Sequence, residues 1–177
     1  MAAFVVALLG AESTGKTVLS LEIAAALEAR GQRTRVASEA LREFCAAHER
    51  TPRREEQAAI AAEQTRRIEA AAIDAEVVVA DTTALMVAVY SDLVFADCSL
   101  YADAEAAQRC VDLTLLTATD LPWRADGVQR DGPHVRSAVD ALLRASLTRA
   151  GIAFVEIGGQ GGMRLANALA AIAAARR

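Results

Sequence analysis

The stretch "GAESTGKT", residues 10–17, decides the fold. It fits G-x-x-x-x-G-K-[ST] at every fixed position, and it sits between an apolar run and a helical pattern. Gly10 and Gly15 let a loop take backbone angles closed to other residues. The loop's N–H groups can then surround a phosphate at the start of a helix. In that arrangement Lys16 is expected to reach the terminal phosphates of a nucleoside triphosphate. Thr17 is expected to place its hydroxyl on Mg²⁺. With Glu12, Ser13, Thr14 and Val18 they make up the expected ATP site. A turn that bound nothing would need neither Lys nor Thr in this register.

Working outward, "AFVVALL" (Ala3 to Leu9) is a continuous apolar run, the pattern of a parallel strand buried on both faces. "KTVLSLEIAAALEAR" follows as a helix, with Gly31 suited to its end. Further strands are expected at Thr34–Ser38, Glu76–Asp81, Val111–Ala118 and within "IAFVEIGG". Helical patterns separate them: "EALREFCAAHER", then "RREEQAAIAAEQTRRIEAAAI" after a Thr51-Pro52 start signal. Residues 82 to about 110 read as helical without clear subdivision. "HVRSAVDALLRASLTRA" puts Val135, Val139, Leu142, Leu143 and Leu147 on one stripe. The βα alternation predicts an α/β fold of the P-loop NTPase type, with three layers: a five-stranded parallel sheet and helices on both faces. Right-handed crossovers put every strand's C-terminal end on one edge, where ligands bind. One domain is expected over residues 1–177, with a lid after strand four at about 119–136.

Composition limits the function. The 177 residues carry a formal net charge of −4 and no standing basic run, which disfavours a nucleic-acid partner. Aromatics are 4%, too few for a base-stacking platform. The apolar run at the start is too short to span a bilayer and lacks a basic leader, so no membrane association is expected and the chain reads as cytoplasmic. Cys45, Cys98 and Cys110 are scattered without C-x-x-C spacing, which fits reduced thiols and excludes a zinc ribbon.

A phosphate loop names a nucleotide and leaves the reaction open. A GTPase switch is disfavoured: the residues after strand four read "TATD" where N-K-x-D is needed, and strand three ends in "DTTA" where D-x-x-G is needed. A small-molecule kinase needs a group to orient the acceptor hydroxyl and positive charge over the transferring phosphoryl group. Glu39, just after strand two, is the candidate for the hydroxyl. Asp81, ending strand three, is the candidate second holder of Mg²⁺ beside Thr17. Arg124, Arg130 and Arg136, in and just beyond the loop after strand four, are candidates to close over the phosphates. Lys16, Glu39, Asp81 and Arg130 form the expected catalytic set. Arg42, Phe44 and Trp123 join Glu39 and Asp81 as candidate acceptor contacts. The alternative reading is an ATPase or nucleotide-binding regulator with no small-molecule acceptor.

Several of these segments together resemble the NadR-like ribosylnicotinamide kinase domain, a branch of the P-loop kinases. The resemblance rests on Glu12 within "GAESTGKT", on E-x-x-R-E-F at Glu39, Arg42, Glu43 and Phe44, on Asp81-Thr82, and on PW-x-x-DG at Pro122, Trp123, Asp126 and Gly127. It implies transfer of the γ-phosphate of ATP to the 5′-hydroxyl of nicotinamide riboside, a nucleoside-like acceptor, for NAD synthesis. It also implies that the acid after strand two contacts the acceptor hydroxyl, the position of Glu39. A lid arginine is implied at Arg130 or Arg136. The arginine after "DG" is displaced by one residue, in "DGVQR". No H-x-G-H-type motif and no DNA-binding segment occur in these residues, so adenylylation and repression are not implied. Aromatics available to hold a nicotinamide ring are Phe44, Tyr90, Phe95, Tyr101 and Trp123. The oligomeric state is left open.

Overall fold

A computed structural model describes residues 2–123 and 133–177 of the chain. Five strands form one sheet: β1 Phe4–Leu9, β2 Thr34–Ala37, β3 Val77–Asp81, β4 Leu113–Thr117 and β5 Val155–Ile157. All pairings are parallel, in the order β2-β3-β1-β4-β5, so the phosphate-loop strand is central. Around them lie α1 Lys16–Glu28, α2 Ala40–His48, α3 Gln57–Ala72, α4 Ala84–Phe95, α5 Tyr101–Arg109, α6 Pro133–Arg149 and α7 Gly162–Ala175. A single 3₁₀ turn, Arg54–Glu56, leads into α3.

The layering follows from strand alternation. Val6 and Leu8 of β1, with Val77 and Val79 of β3 and Leu115 of β4, pack against Leu19, Ile23 and Leu27 of α1 and against Ala168 and Ile172 of α7. Leu9 and Leu116 join the opposite core, built on α2 to α6 and including Leu85, Val89, Val139, Leu143 and Leu147. β1 and β3 thus bury both faces, as their unbroken apolar sequences require. Each fully buried leucine contributes about 2 kcal/mol by leaving water.

Three local departures from the sequence reading have physical causes. β5 is confined to three residues at the sheet edge, with Val155 and Glu156 exposed, and Ile152 and Phe154 instead pack sideways on the α4–α6 core. An edge strand has one neighbour, and β4 offers it only Leu115–Thr117. The α2–α3 connection does not start a helix at Thr51. Arg50 forms a two-pronged ion pair with Glu56 at 2.7 Å on each arm, and Glu56 also accepts from the Arg53 amide, so the first turn forms at Arg54. The long helical region after β3 breaks at Ala96, which takes a left-handed conformation.

Register fixes what reaches the ligand edge. Leu8 aligns with Asp81, so the end of β3 stands beside the start of the phosphate loop. Leu9 aligns with Leu116, which brings Thr117 alongside Gly10.

Candidate active site

The phosphate loop is built around close approach and unusual backbone angles. Gly10 has φ +147°, and a Cβ there would strike the Thr117 hydroxyl. Gly15 has φ +77° and Ser13 φ +54°, both in the left-handed region. Inside the loop Thr14 donates to the Ala11 carbonyl (2.8 Å). The Thr117 hydroxyl lies 2.7 Å from Thr14 Oγ1 and 3.1 Å from the Leu9 carbonyl, so β4 braces the loop from beneath. Gly15 caps α1 without a side chain. The first-turn amides, which no helix satisfies internally, are left pointing out of the helix start.

Lys16 folds back over this loop, its ammonium donating to the carbonyls of Gly10 (2.7 Å) and Ala11 (2.9 Å). Glu12 is buried and accepts from the Tyr90 hydroxyl at 3.1 Å. Thr17 opens α1, and its carbonyl takes the Ser20 hydroxyl at 2.8 Å. Val18 is 61% exposed at the helix start.

Asp81 is buried, and its Oδ1 has no hydrogen-bond partner among the described residues. A carboxylate oxygen shut from water without a partner is unfavourable, and a bound cation would relieve it. The next residue, Thr82, sits at φ +78°, a strained conformation for a β-branched side chain. It is pinned there by its amide on the Leu8 carbonyl (3.1 Å) and by Gln64 Nε2 on its own carbonyl (3.3 Å). The acid and a hydroxyl at the loop's helix start suit Mg²⁺, which takes few protein ligands and keeps phosphates and water for the rest. No cluster of three or more His, Cys, Asp or Glu side chains occurs among the described residues, so a metal held by side chains alone has no place there.

A cavity of about 220 Å³ opens beside Lys16. Glu12, Lys16, Glu39 and Arg42 line its polar part, and Leu41, Cys45, Met86, Leu93, Val94, Phe95 and Val135 its apolar part. Thr51, Pro52, Gln57 and Tyr90 complete the wall. Glu39 occupies the N-cap of α2, where the helix end favours an anion, and lies 3.3 Å from Arg42 Nε.

Not every predicted contact gathers here. Phe44 lines a separate groove between α2 and α3, its ring stacked on His48 at 4.1 Å and capped by Arg50 at 5.2 Å. Neighbouring Glu43 also faces away, its carboxyl held below the ordinary range first by the Ser38 hydroxyl and then by Arg67. Trp123 is half-buried and absent from the cavity wall. Arg124 and Arg130 lie outside the described residues. Arg136 is buried on α6 and donates to the Leu121 carbonyl at 2.8 Å, while its Nε and the other guanidinium nitrogen have no partner among the described residues. A half-satisfied buried guanidinium calls for an anion. Behind it, Arg164 of α7 binds the Ile157 carbonyl (2.9 Å), the Gly159 carbonyl (3.1 Å) and the Asp120 carboxylate, tying the ends of β4 and β5 together.

Sequence reasoning missed Gln57, Met86 and Cys45 as cavity residues. All three lie on helices, and only helix packing shows which face they present.

Comparison with known proteins agrees with this geometry. A family model described as an AAA domain matches residues 5–164. No curated protein matches the chain. Among solved structures, NadR protein in complex with NR is similar at TM-score 0.77 and 20% identity, over 96% of this chain and 48% of that one. NadR with NAD and AMP-PNP gives 0.75 and 20%, with the same coverage. Deoxyadenosine kinase from M. mycoides with bound dCTP gives 0.64 and 11%, over 97% of this chain and 100% of the other. At these identities the likeness is one of fold. The chain spans about half the length of the NadR chains it matches.

Proposed function

The chain belongs to the AAA domain family, and we propose that it is an ATP-dependent small-molecule kinase whose acceptor is a nucleoside, most simply nicotinamide riboside. One observation carries this reading. One cavity is lined together by the phosphate-loop lysine, the Glu39 carboxylate and a set of apolar side chains. An ATPase or regulator needs no such cavity next to the γ-phosphate position. At about 220 Å³ it suits a compact acceptor. The likeness to structures holding NR, AMP-PNP and dCTP supports the same class of ligand.

In this reading Gly10 to Val18 hold the triphosphate, and Lys16 exchanges its two carbonyl partners for phosphate oxygens. Thr17 and Asp81 would hold Mg²⁺, which when bound offsets charge on the phosphates. Glu39 takes the proton from the acceptor's 5′-hydroxyl as that oxygen bonds to the γ-phosphorus and the bond to ADP breaks. Arg42 orients Glu39. Arg136, with Arg124 and Arg130 from a lid at about 119–136, balances charge on the transferring group. The whole of residues 1–177 works as one kinase domain serving NAD synthesis in the cytoplasm. The free state of Cys45, Cys98 and Cys110 fits that reducing compartment.

The test is product analysis by mass spectrometry of the protein with ATP, Mg²⁺ and a panel of nucleosides. ADP formed in step with a phosphorylated nucleoside is expected. ADP with free phosphate, and no acceptor consumed, would reject the kinase reading. Lys16→Ala is expected to abolish turnover with the fold retained.

A further inference from the structure

The cavity wall carries a side chain whose chemistry is unfinished. Gln57 opens α3, is 4% exposed, and lines the cavity. Its Oε1 is shielded from solvent and accepts no hydrogen bond among the described residues. The contrast with Gln64 is informative. Gln64 is also buried on α3, but both ends of its amide are used: Oε1 accepts from the Ala40 amide (2.7 Å) and Nε2 donates to the Thr82 carbonyl (3.3 Å).

Gln64 therefore marks the level of the sheet edge. Gln57 lies two helical turns earlier on the same face, about 10 Å away along the helix axis. Lys16, Glu39 and Gln57 line the same cavity. A nucleoside with its 5′-hydroxyl at Glu39 would have its base within that cavity, where Gln57 can meet it.

We infer that Gln57 selects the acceptor, by pairing its amide with an uncharged donor-bearing group on the base, of which a carboxamide is the match. The inference rests on the kinase reading above. The buried Oε1 demands an N–H or O–H donor, since leaving it unmet is unfavourable. Rotation of the broad terminal torsion turns the amide into the cavity. A carboxamide offers a donor to Oε1 and an acceptor to Nε2, so two amides can pair edge to edge. The neighbouring Leu93, Val94, Phe95 and Met86 offer no polar side chain, so Gln57 is the group on that wall able to pair with a carboxamide.

The experiment crosses two proteins with two acceptors. Wild type and Gln57→Leu are assayed with nicotinamide riboside and with pyridinium riboside, which lacks the carboxamide. Wild type is expected to show a KM about tenfold lower for nicotinamide riboside. In Gln57→Leu the two KM values should converge, with kcat for both and KM for ATP unchanged. A second readout separates selection from structure. Because Oε1 has no partner to lose, the ligand-free variant is expected to melt at or above the wild-type temperature. A lower melting temperature, or an unchanged preference for nicotinamide riboside, overturns the inference alone. Turnover of neither riboside by wild type overturns the kinase reading and the inference with it.

Discussion

Replacing Asp81 with Asn is expected to make the ligand-free protein more stable while removing its response to magnesium. Asp81 is 2% exposed, and Oδ1 lacks a partner among the described residues. Asn keeps the shape and stays polar but removes the buried charge. An unmet buried polar group costs about 1–3 kcal/mol, with more for a charge, so the relief is the difference between the two, about 1 kcal/mol. For a chain of this size each kcal/mol moves the melting temperature by about 2–4 °C. Asp81→Asn should therefore melt about 2–4 °C higher without ligand. The converse holds for the loaded protein. ATP with Mg²⁺ at 100 times its Kd stabilises the wild type by about 2.7 kcal/mol, or about 5–11 °C. The variant should gain no more from ATP with Mg²⁺ than from ATP with EDTA. Differential scanning fluorimetry reads all three states of both proteins. A variant that melts below wild type would show that the carboxylate is structural. An undiminished magnesium increment would show that the ion sits elsewhere.

Other outcomes follow from the same coordinates. Gly10→Ala would drive a methyl group into Thr117 at a φ of +147°, and a loss of about 3 kcal/mol or more is expected, visible as a lowered urea midpoint. Arg54 Nε holds Asp97 at 2.8 Å and links the α2–α3 connection to the α4–α5 connection, each of which adjoins the cavity wall. Arg54→Ala is expected to raise the acceptor KM by up to about fivefold and leave KM for ATP unchanged. Arg50 and the Arg53 amide hold the Glu56 carboxyl at about 2, and Arg54 holds Asp97 at about 2. Both lie below their ordinary values, so their stabilisation is complete above about pH 5 and is lost as pH falls through 2. Arg50→Ala should flatten the decline in melting temperature across that window.

The parts of the fold legible in the sequence are those whose burial is symmetric. β1 and β3 read as unbroken apolar runs because helices cover both their faces, and their ends located Gly10 and Asp81 without ambiguity. β5 was overextended because an edge strand with one neighbour leaves no periodic mark, and "IAF" is apolar for another reason, packing on α4–α6. The break at Ala96 had no glycine or proline to announce it. It is held by the Asp92 carboxylate, which takes the Tyr101 hydroxyl at 3.0 Å and the Cys98 thiol at 3.4 Å. Gln57 sits in "RREEQAAIAAEQTRR", which reads as a solvated helix. Its burial comes from tertiary packing, which no local pattern encodes. Phe44 shows the opposite error: one step along the helix, about 100°, separates it from the cavity-lining Cys45, enough to turn its ring into another groove beside His48.

The site divides into two halves with different origins. The half proposed to hold ATP is written in backbone: left-handed glycines, a helix start, and carbonyls that hold the Lys16 ammonium. Little there can change without breaking the loop, as the contact between Gly10 and Thr117 shows. The acceptor half is written in side chains of α2, α3 and α4, whose neighbours at Val94 and Thr51 already reach solvent. Those positions can vary without disturbing the sheet edge, since the register that sets Asp81 beside Leu8 depends on none of them. Substitutions at Gln57, Val94 or Phe95 should therefore shift acceptor KM independently of ATP binding. If they moved both together, the cavity and the phosphate loop would be one coupled unit, and this division would fail.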